Sequence, residues 1–208
     1  MKKTLIIAEV GPNHNGKLNL AFKLVDKAKQ CGADIIKFQT SIPEDHISIS
    51  ARKAKYQTNN KKKETQLQMA KSTSLTFDQF KKIKKYCAKK KIEFLSTAFG
   101  LKSVDFLVSL KVKRFKIPSG EINNYPYLRK IAKKSKEIII STGMANLKEI
   151  ESAIKIIKKH SKKKIKISIL HCTTQYPAPK KYLNLNAIIT LKKKFKYNIG
   201  YSDHSTGL

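Results

Sequence analysis

The sequence is short of acid, of cysteine and of arginine, and it has no long apolar run. Only 14 residues are Asp or Glu against 45 Lys or Arg, a formal net charge of +31 over 208 residues. Among the basic residues, only Arg52, Arg114 and Arg129 are arginine. Readers of base edges and phosphates favour arginine for its planar fork, so this charge implies no specific nucleic-acid partner. Lysine runs such as Lys81-Lys82, Lys89-Lys90-Lys91 and Lys192-Lys193-Lys194 recur through nearly every helical stretch, as on the solvated outside of a ring of helices. Salt-sensitive contact with polyanions is the remaining consequence, and a polyanion-binding protein is the reading favoured by charge alone. No stretch of about 18 apolar residues exists, which excludes a membrane-spanning helix. About seven apolar-rich residues precede Gly11-Pro12, too few for a secretory signal core, and no small-residue cleavage site follows. Cys31, Cys87 and Cys172 are odd in number and far apart. They form neither a metal-ligand spacing nor a disulfide framework, and so fit a reducing, cytoplasmic setting. No G-x-G-x-x-G follows the first apolar run, which argues against a dinucleotide site.

What is present is an alternation. The chain is 40% apolar, enough for one domain with a real core. Seven β-branched runs are predicted as strands: 4–10, 34–39, 93–97, 114–117, 137–141, 165–171 and 198–201. Helical patterns lie between them. Leu20, Leu24, Ala28 and Cys31 form a stripe closed by Gly32. Thr76-Phe77-Asp78-Gln79 reads as a capping box opening a helix to about Lys90. Asn146 with Glu149 opens another, whose inner face is Leu147, Ile150, Ala153, Ile154 and Ile157. Strand–helix repetition gives parallel strands with right-handed crossovers. Seven units favour a (β/α)8 TIM barrel over an open doubly wound sheet, in a single domain over 1–208. The connection from Ser41 to Leu75 is polar and helix-poor, the kind of loop that serves function.

In such a barrel the chemistry sits at the C-terminal ends of the strands. Those ends carry Glu9; Lys37 and Gln39; Ser96 and Thr97; Lys116, Ser119 and Glu121; Ser141 and Thr142; His171, Thr173 and Thr174; and Ser202, Asp203 and His204. The strands read as apolar where they start and polar where they finish. A lysine inside a strand is expensive unless it meets a partner. Two lysines and several hydroxyls around one mouth suit a phosphate or carboxylate, and the glycines of Pro118-Ser119-Gly120 and Ser141-Thr142-Gly143 let backbone N–H groups approach an anion. His204 suits a metal ligand, with Asp203 as co-ligand or orienter. Glu9 and Glu121 could orient hydroxyls or move protons. Each group has a plainer use: a strand-end lysine pairs with Glu9 or Glu121, Ser141 and Thr142 cap the next helix, and His171 is a buried strand residue. His14, between two asparagines, serves a turn or a substrate contact. His46 and His160 carry no role.

These segments resemble the N-acetylneuraminate (sialic acid) synthases. Ala8-Glu9-Val10-Gly11-Pro12-Asn13-His14-Asn15-Gly16 is similar to their opening signature. Ile36-Lys37-Phe38-Gln39-Thr40, Lys116-Ile117-Pro118-Ser119-Gly120-Glu121-Ile122, Ser141-Thr142-Gly143-Met144, the run from His171 to Pro179 and Gly200-Tyr201-Ser202-Asp203-His204 follow in the family's order. The resemblance implies a barrel transferase that condenses phosphoenolpyruvate with an N-acetylated amino sugar such as N-acetylmannosamine, giving a nine-carbon 2-keto acid and phosphate. It implies a divalent metal, Mn2+ or Mg2+, with His204 as one of two metal histidines. By position it assigns Lys37, Thr97, Lys116, Ser119, Ser141, Thr174 and Ser202 to phosphoenolpyruvate, Gln39, Glu121 and Tyr176 to the sugar or intermediate, and Glu9 to the reacting centre. Thr174 stands where many members have asparagine, and Ala98 where proline is commoner.

The sequence ends just past the seventh strand. The expectation is therefore an incomplete barrel without the eighth strand, its second metal histidine and the C-terminal antifreeze-like domain, which in the family's homodimer reaches into the partner's site. Two alternatives follow from the same motifs: a legionaminate or pseudaminate synthase, which changes only the sugar, or a catalytically inactive truncated fragment.

Overall fold

The computed structural model describes residues 4–54, 57 and 64–207. It comprises two compact units, Met1–Val112 and Lys113–Leu208. The first holds β1 (Ile7–Glu9), α1 (Leu18–Gln30), β2 (Ile35–Ser41), α2 (Gln66–Thr73), α3 (Phe77–Lys89), β3 (Glu93–Phe99) and α4 (Leu101–Ser109). The second holds β4 (Phe115–Ile117), α5 (Tyr125–Lys134), β5 (Glu137–Ser141), α6 (Leu147–His160), β6 (Lys166–Cys172), α7 (Ala187–Lys194) and β7 (Asn198–Ser202). Within each unit every strand runs parallel to the next in sequence, β1 to β2 to β3 and β4 through β7. All seven expected strands are present. The first is shorter than expected, because residues 4–6 precede the ladder and Ile6 bonds instead to Asp34.

Period-two alternation sorts the first unit's side chains. Phe38 points to the helices and packs with Phe80 and Phe94, ring centroids 6.3 and 5.7 Å away, while Lys37 and Gln39 take the other face. The buried stripe of α1 is Ala21, Val25 and Ala28. Leu20 and Leu24 are only half-buried and Cys31 is an exposed C-cap. The expected stripe was therefore misplaced, because small residues, not the larger leucines, meet the sheet. In the second unit α6 buries Ile150, Ala153, Ile154 and Ile157, each Ile contributing about 1.5–3 kcal/mol by leaving water. Leu147 is 38% exposed at the first turn, outside that face. Both expected capping boxes form: Thr76 with Gln79 and Asn146 with Glu149.

Two expectations are corrected. The connection from Ser41 to Leu75 is not helix-poor: it contains a 3-10 turn, Pro43–Asp45, and α2, while its residues 55, 56 and 58–63 lie outside the described set. The strand starts are not uniformly apolar either. Arg114, Glu137 and Lys166 form a charged cluster there, with Glu137 Oε1 accepting from Arg114 at 3.0 Å and from Lys166 at 3.1 Å.

Candidate active site

In the first unit the register sets Glu9 beside Lys37 and Gln39 beside Thr97. The Lys37 ammonium, on an 8% exposed residue, lies 2.6 Å from Glu9 Oε2 and donates to Thr97 Oγ1 at 3.2 Å. The second Glu9 oxygen accepts the Gly11 N–H at 3.0 Å. Glu9 is thus held at both oxygens. Thr40 and Ser96, both buried, share a hydrogen bond of 2.7 Å that ties β2 to β3 behind this group. Gln39 is exposed at the end of β2.

In the second unit Lys116, 7% exposed, donates to Ser141 Oγ at 2.5 Å. Both units therefore repeat one device: a buried strand lysine bonded to a hydroxyl on a neighbouring strand. Thr142 donates to the Leu170 carbonyl through both its N–H and its hydroxyl, at 3.0 and 3.1 Å, so its role is structural. Gly143, at φ +49°, has no room for a side chain. A Cβ there would lie 2.7 Å from Ser119 Oγ and 2.8 Å from Thr174 Cγ2. Only glycine lets these two hydroxyl residues close on the turn after β5. Glu121 accepts from Asn124 Nδ2 at 2.6 Å. Ser202 ends β7 opposite Cys172.

His204 donates from Nδ1 to the Thr173 carbonyl at 2.5 Å, and its ring lies 4.3 Å from that of Tyr176. That bond fixes the proton on Nδ1 and leaves the Nε2 lone pair available, the arrangement a metal-binding imidazole requires. The orienter is the Thr173 carbonyl, and not Asp203, for which co-ligand or orienter was expected. Asp203 Oδ1 accepts from Ser205 N–H and from the Tyr201 hydroxyl, and the Ser205 bond chiefly holds its carboxyl below the ordinary value. His204 fits a metal as a single ligand; among the described residues no group of three His, Cys, Asp or Glu side chains could hold one. His171 donates Nε2–H to the Leu183 carbonyl at 2.7 Å, the buried strand role weighed for it. His14 is buried at 2%, and its Nδ1 accepts the Gly16 N–H at 3.2 Å, so it shapes the turn after β1. Among the described residues no helix is long and apolar enough to cross a membrane.

Sequence reading missed α2. It buries no residue and so shows no apolar stripe; its one legible signal was the capping box of Thr65 with Gln68.

The sequence matches the NeuB family over residues 24–208. It is 53% identical over 209 residues to an N,N'-diacetyllegionaminic acid synthase of Campylobacter jejuni, covering 100% of this chain and 63% of that protein. It is 45% identical to the enzyme of the same description from Legionella pneumophila, covering 98% of this chain and 58% of that one. The crystal structure of an N-acetylneuraminic acid synthetase from Leptospira borgpetersenii, in complex with citrate, superposes with a TM-score of 0.87 at 35% identity, covering 99% of this chain and 67% of that one. The fold is α/β, of the TIM-barrel type shared with these relatives, with seven parallel strands in the chain. The chain spans roughly three-fifths of the length of the curated relatives it matches.

Proposed function

Because the chain belongs to the NeuB family, we propose that its protein condenses phosphoenolpyruvate with an N-acetylated amino sugar to give a nine-carbon 2-keto acid and inorganic phosphate. One observation carries this reading: each unit has a buried strand lysine bonded to a strand-end hydroxyl, a ready partner for an anionic group.

The steps balance as follows. C3 of phosphoenolpyruvate bonds to the sugar's aldehyde carbon, whose oxygen takes up a proton. Water adds at C2, which has become electron-poor. The tetrahedral adduct breaks its C2–O bond to phosphate and leaves the keto acid. Lys37 and Lys116 hold negative charge on phosphate and carboxylate oxygens while it redistributes, the largest kind of contribution a preorganised site makes. Thr97 and Ser141 position these ammonium groups, and Ser119, Thr174 and Ser202 supply hydroxyl donors. Glu9 orients Lys37, Glu121 takes the proton from the attacking water, and Gln39 and Tyr176 contact the sugar. Mn2+ or Mg2+, with His204 Nε2 among its ligands, supplies Lewis-acid polarisation of the aldehyde oxygen when bound.

The relatives at 53% and 45% identity are both N,N'-diacetyllegionaminic acid synthases, which favours a diacetylated sugar over N-acetylmannosamine.

The test is calorimetric titration of the 208-residue chain with phosphoenolpyruvate. Lys37→Ala and Lys116→Ala each remove one charge-assisted partner and weaken binding by about 10- to 100-fold. Unchanged affinity in both variants rules the reading out. Activity is read as phosphate release on mixing phosphoenolpyruvate, Mn2+ and each candidate sugar.

A further inference from the structure

In the second unit the connection from β6 to α7 is closed at its base. His171, the last residue but one of β6 and 9% exposed, donates Nε2–H to the Leu183 carbonyl at 2.7 Å. Two residues on, the Thr173 hydroxyl donates to the Tyr182 carbonyl at 3.4 Å. These two bonds draw the ends of residues 173–183 together into a compact loop, a form that often serves function. The loop carries Thr174 and Tyr176, and the Thr173 carbonyl that takes the His204 proton.

This loop grips His204 at three points. The Thr173 carbonyl accepts its Nδ1–H, the Ala178 N–H donates to its carbonyl at 2.8 Å, and the Tyr176 ring lies 4.3 Å from its ring. His171 reaches the same turn by a second route. Its ring stacks on that of Tyr201, centroids 5.8 Å apart. The Tyr201 hydroxyl donates to Asp203 Oδ1 at 3.0 Å, and that oxygen also accepts the Ser205 N–H. Asp203 and Ser205 flank His204 in the chain. One buried imidazole thus touches both segments that set where the His204 ring lies, the loop neck and the end of β7. A histidine that only filled the back of β6 would need a partner for its N–H and nothing more. Here that partner is the neck of the loop that holds His204.

We propose that His171 is a positioning residue for His204: it closes the loop whose carbonyl fixes the Nδ1 proton, and it braces the end of β7 through Tyr201, so that Nε2 stays unprotonated. The proposal rests on the synthase reading for what His204 does, and adds to it the residue that keeps His204 ready. When the neck opens, the Thr173 carbonyl moves off, the ring turns, and the Nε2–H tautomer, which has no lone pair there for a metal, becomes populated. Closing the loop in advance also spares the cost of ordering Thr174 and Tyr176 when a substrate binds.

The experiment is nitrogen-15 NMR of the histidine rings in the 208-residue chain at about pH 8, where an ordinary histidine is neutral. The His204 signals are those missing from His204→Gln. The parent is expected to show His204 as the Nδ1–H tautomer alone. His171→Leu removes both the N–H and the stack, and the Nε2–H form of His204 should appear beside the other. His171→Gln keeps a side-chain N–H for the Leu183 carbonyl and should hold His204 in the Nδ1–H form. Tyr201→Leu, at a half-buried position, removes the brace alone and reads the same shift if His171→Leu does not fold. General loss of stability does not move a tautomer in a chain that is still folded. An Nε2–H His204 in the parent, a wholly Nδ1–H His204 in the folded leucine variants, or a shift as large in His171→Gln as in His171→Leu overturns the proposal. Phosphoenolpyruvate titration of the same samples separates the two readings. Binding by the parent with an unmoved His204 loses the positioning role alone; a shifted His204 with no binding by the parent counts against the synthase reading instead.

Discussion

Gly143 and His14 show how much of this molecule's behaviour rests on single positions. Gly143 combines a left-handed backbone with contacts that leave no space for a methyl group, its Cβ position lying 2.5 Å from Ser119 Cβ. Gly143→Ala adds backbone strain to a clash that the turn can relieve only by parting Ser119 from Thr174. A loss of about 2–4 kcal/mol is expected in urea unfolding, together with weaker phosphoenolpyruvate binding; an alanine variant as stable as the parent would contradict the packing described. His14 links the same kind of packing to pH. Burial lowers its pKa from the ordinary 6.5, so below that value the unfolded chain binds a proton that the folded chain resists. The stability contributed by neutral His14 is complete above the ordinary value and is lost as pH falls through it. His14→Asn keeps an acceptor for the Gly16 N–H and removes the titration. Between about pH 7.5 and about pH 5.5 the parent's urea midpoint should fall more than the variant's; equal falls would mean that His14 is not the group responsible.

At the scale of elements, the strands and the best-capped helices were legible and α2 was not. The reason is where the information lies. A strand in contact with helices needs a β-branched run, as in Ile138, Ile139 and Ile140, all buried, and that run is visible without any fold. The capping boxes of α3 and α6 announce their helices through two residues each. In α6 the Asn146 side chain accepts from the N–H groups of both Lys148 and Glu149, at 2.9 and 3.0 Å. Asn146→Ala should therefore cost about 1 kcal/mol, rising toward 2 if the helix start frays, measured as a shift in urea midpoint at constant slope. In contrast, α2 has no buried residue to set a periodicity. The same logic divides the candidate site. Lysines inside strands stood out because burial of charge is costly, and the structure pairs both. Of the two uses expected of Asp203, co-ligand or orienter, the second falls to a backbone carbonyl on the preceding loop, to which the His204 ring turns.

At the scale of the whole chain the governing quantity is charge. A formal +31 is not neutralised by the ion pairs present. Several of those, such as Lys81 with Asp78 and Lys155 with Glu151, lie along exposed helix faces, where each contributes at most about 1 kcal/mol. Like charges spread over a compact surface repel one another, and they separate when the chain unfolds. Salt shortens the range of that repulsion, to about 10 Å at about 0.1 M, so the folded state gains more from added salt than the unfolded chain does. The melting temperature should therefore rise by a few degrees between about 20 mM and about 300 mM NaCl at neutral pH. On the proposed function, phosphoenolpyruvate affinity should move the opposite way over the same range, because the field that destabilises the fold attracts an anion. The two trends have one cause and are measured on one sample, by scanning calorimetry and by titration. A melting temperature indifferent to salt would show that the lysine excess is already compensated in the folded chain. An anion affinity indifferent to salt would show that the buried pairs, and not the surface field, govern capture.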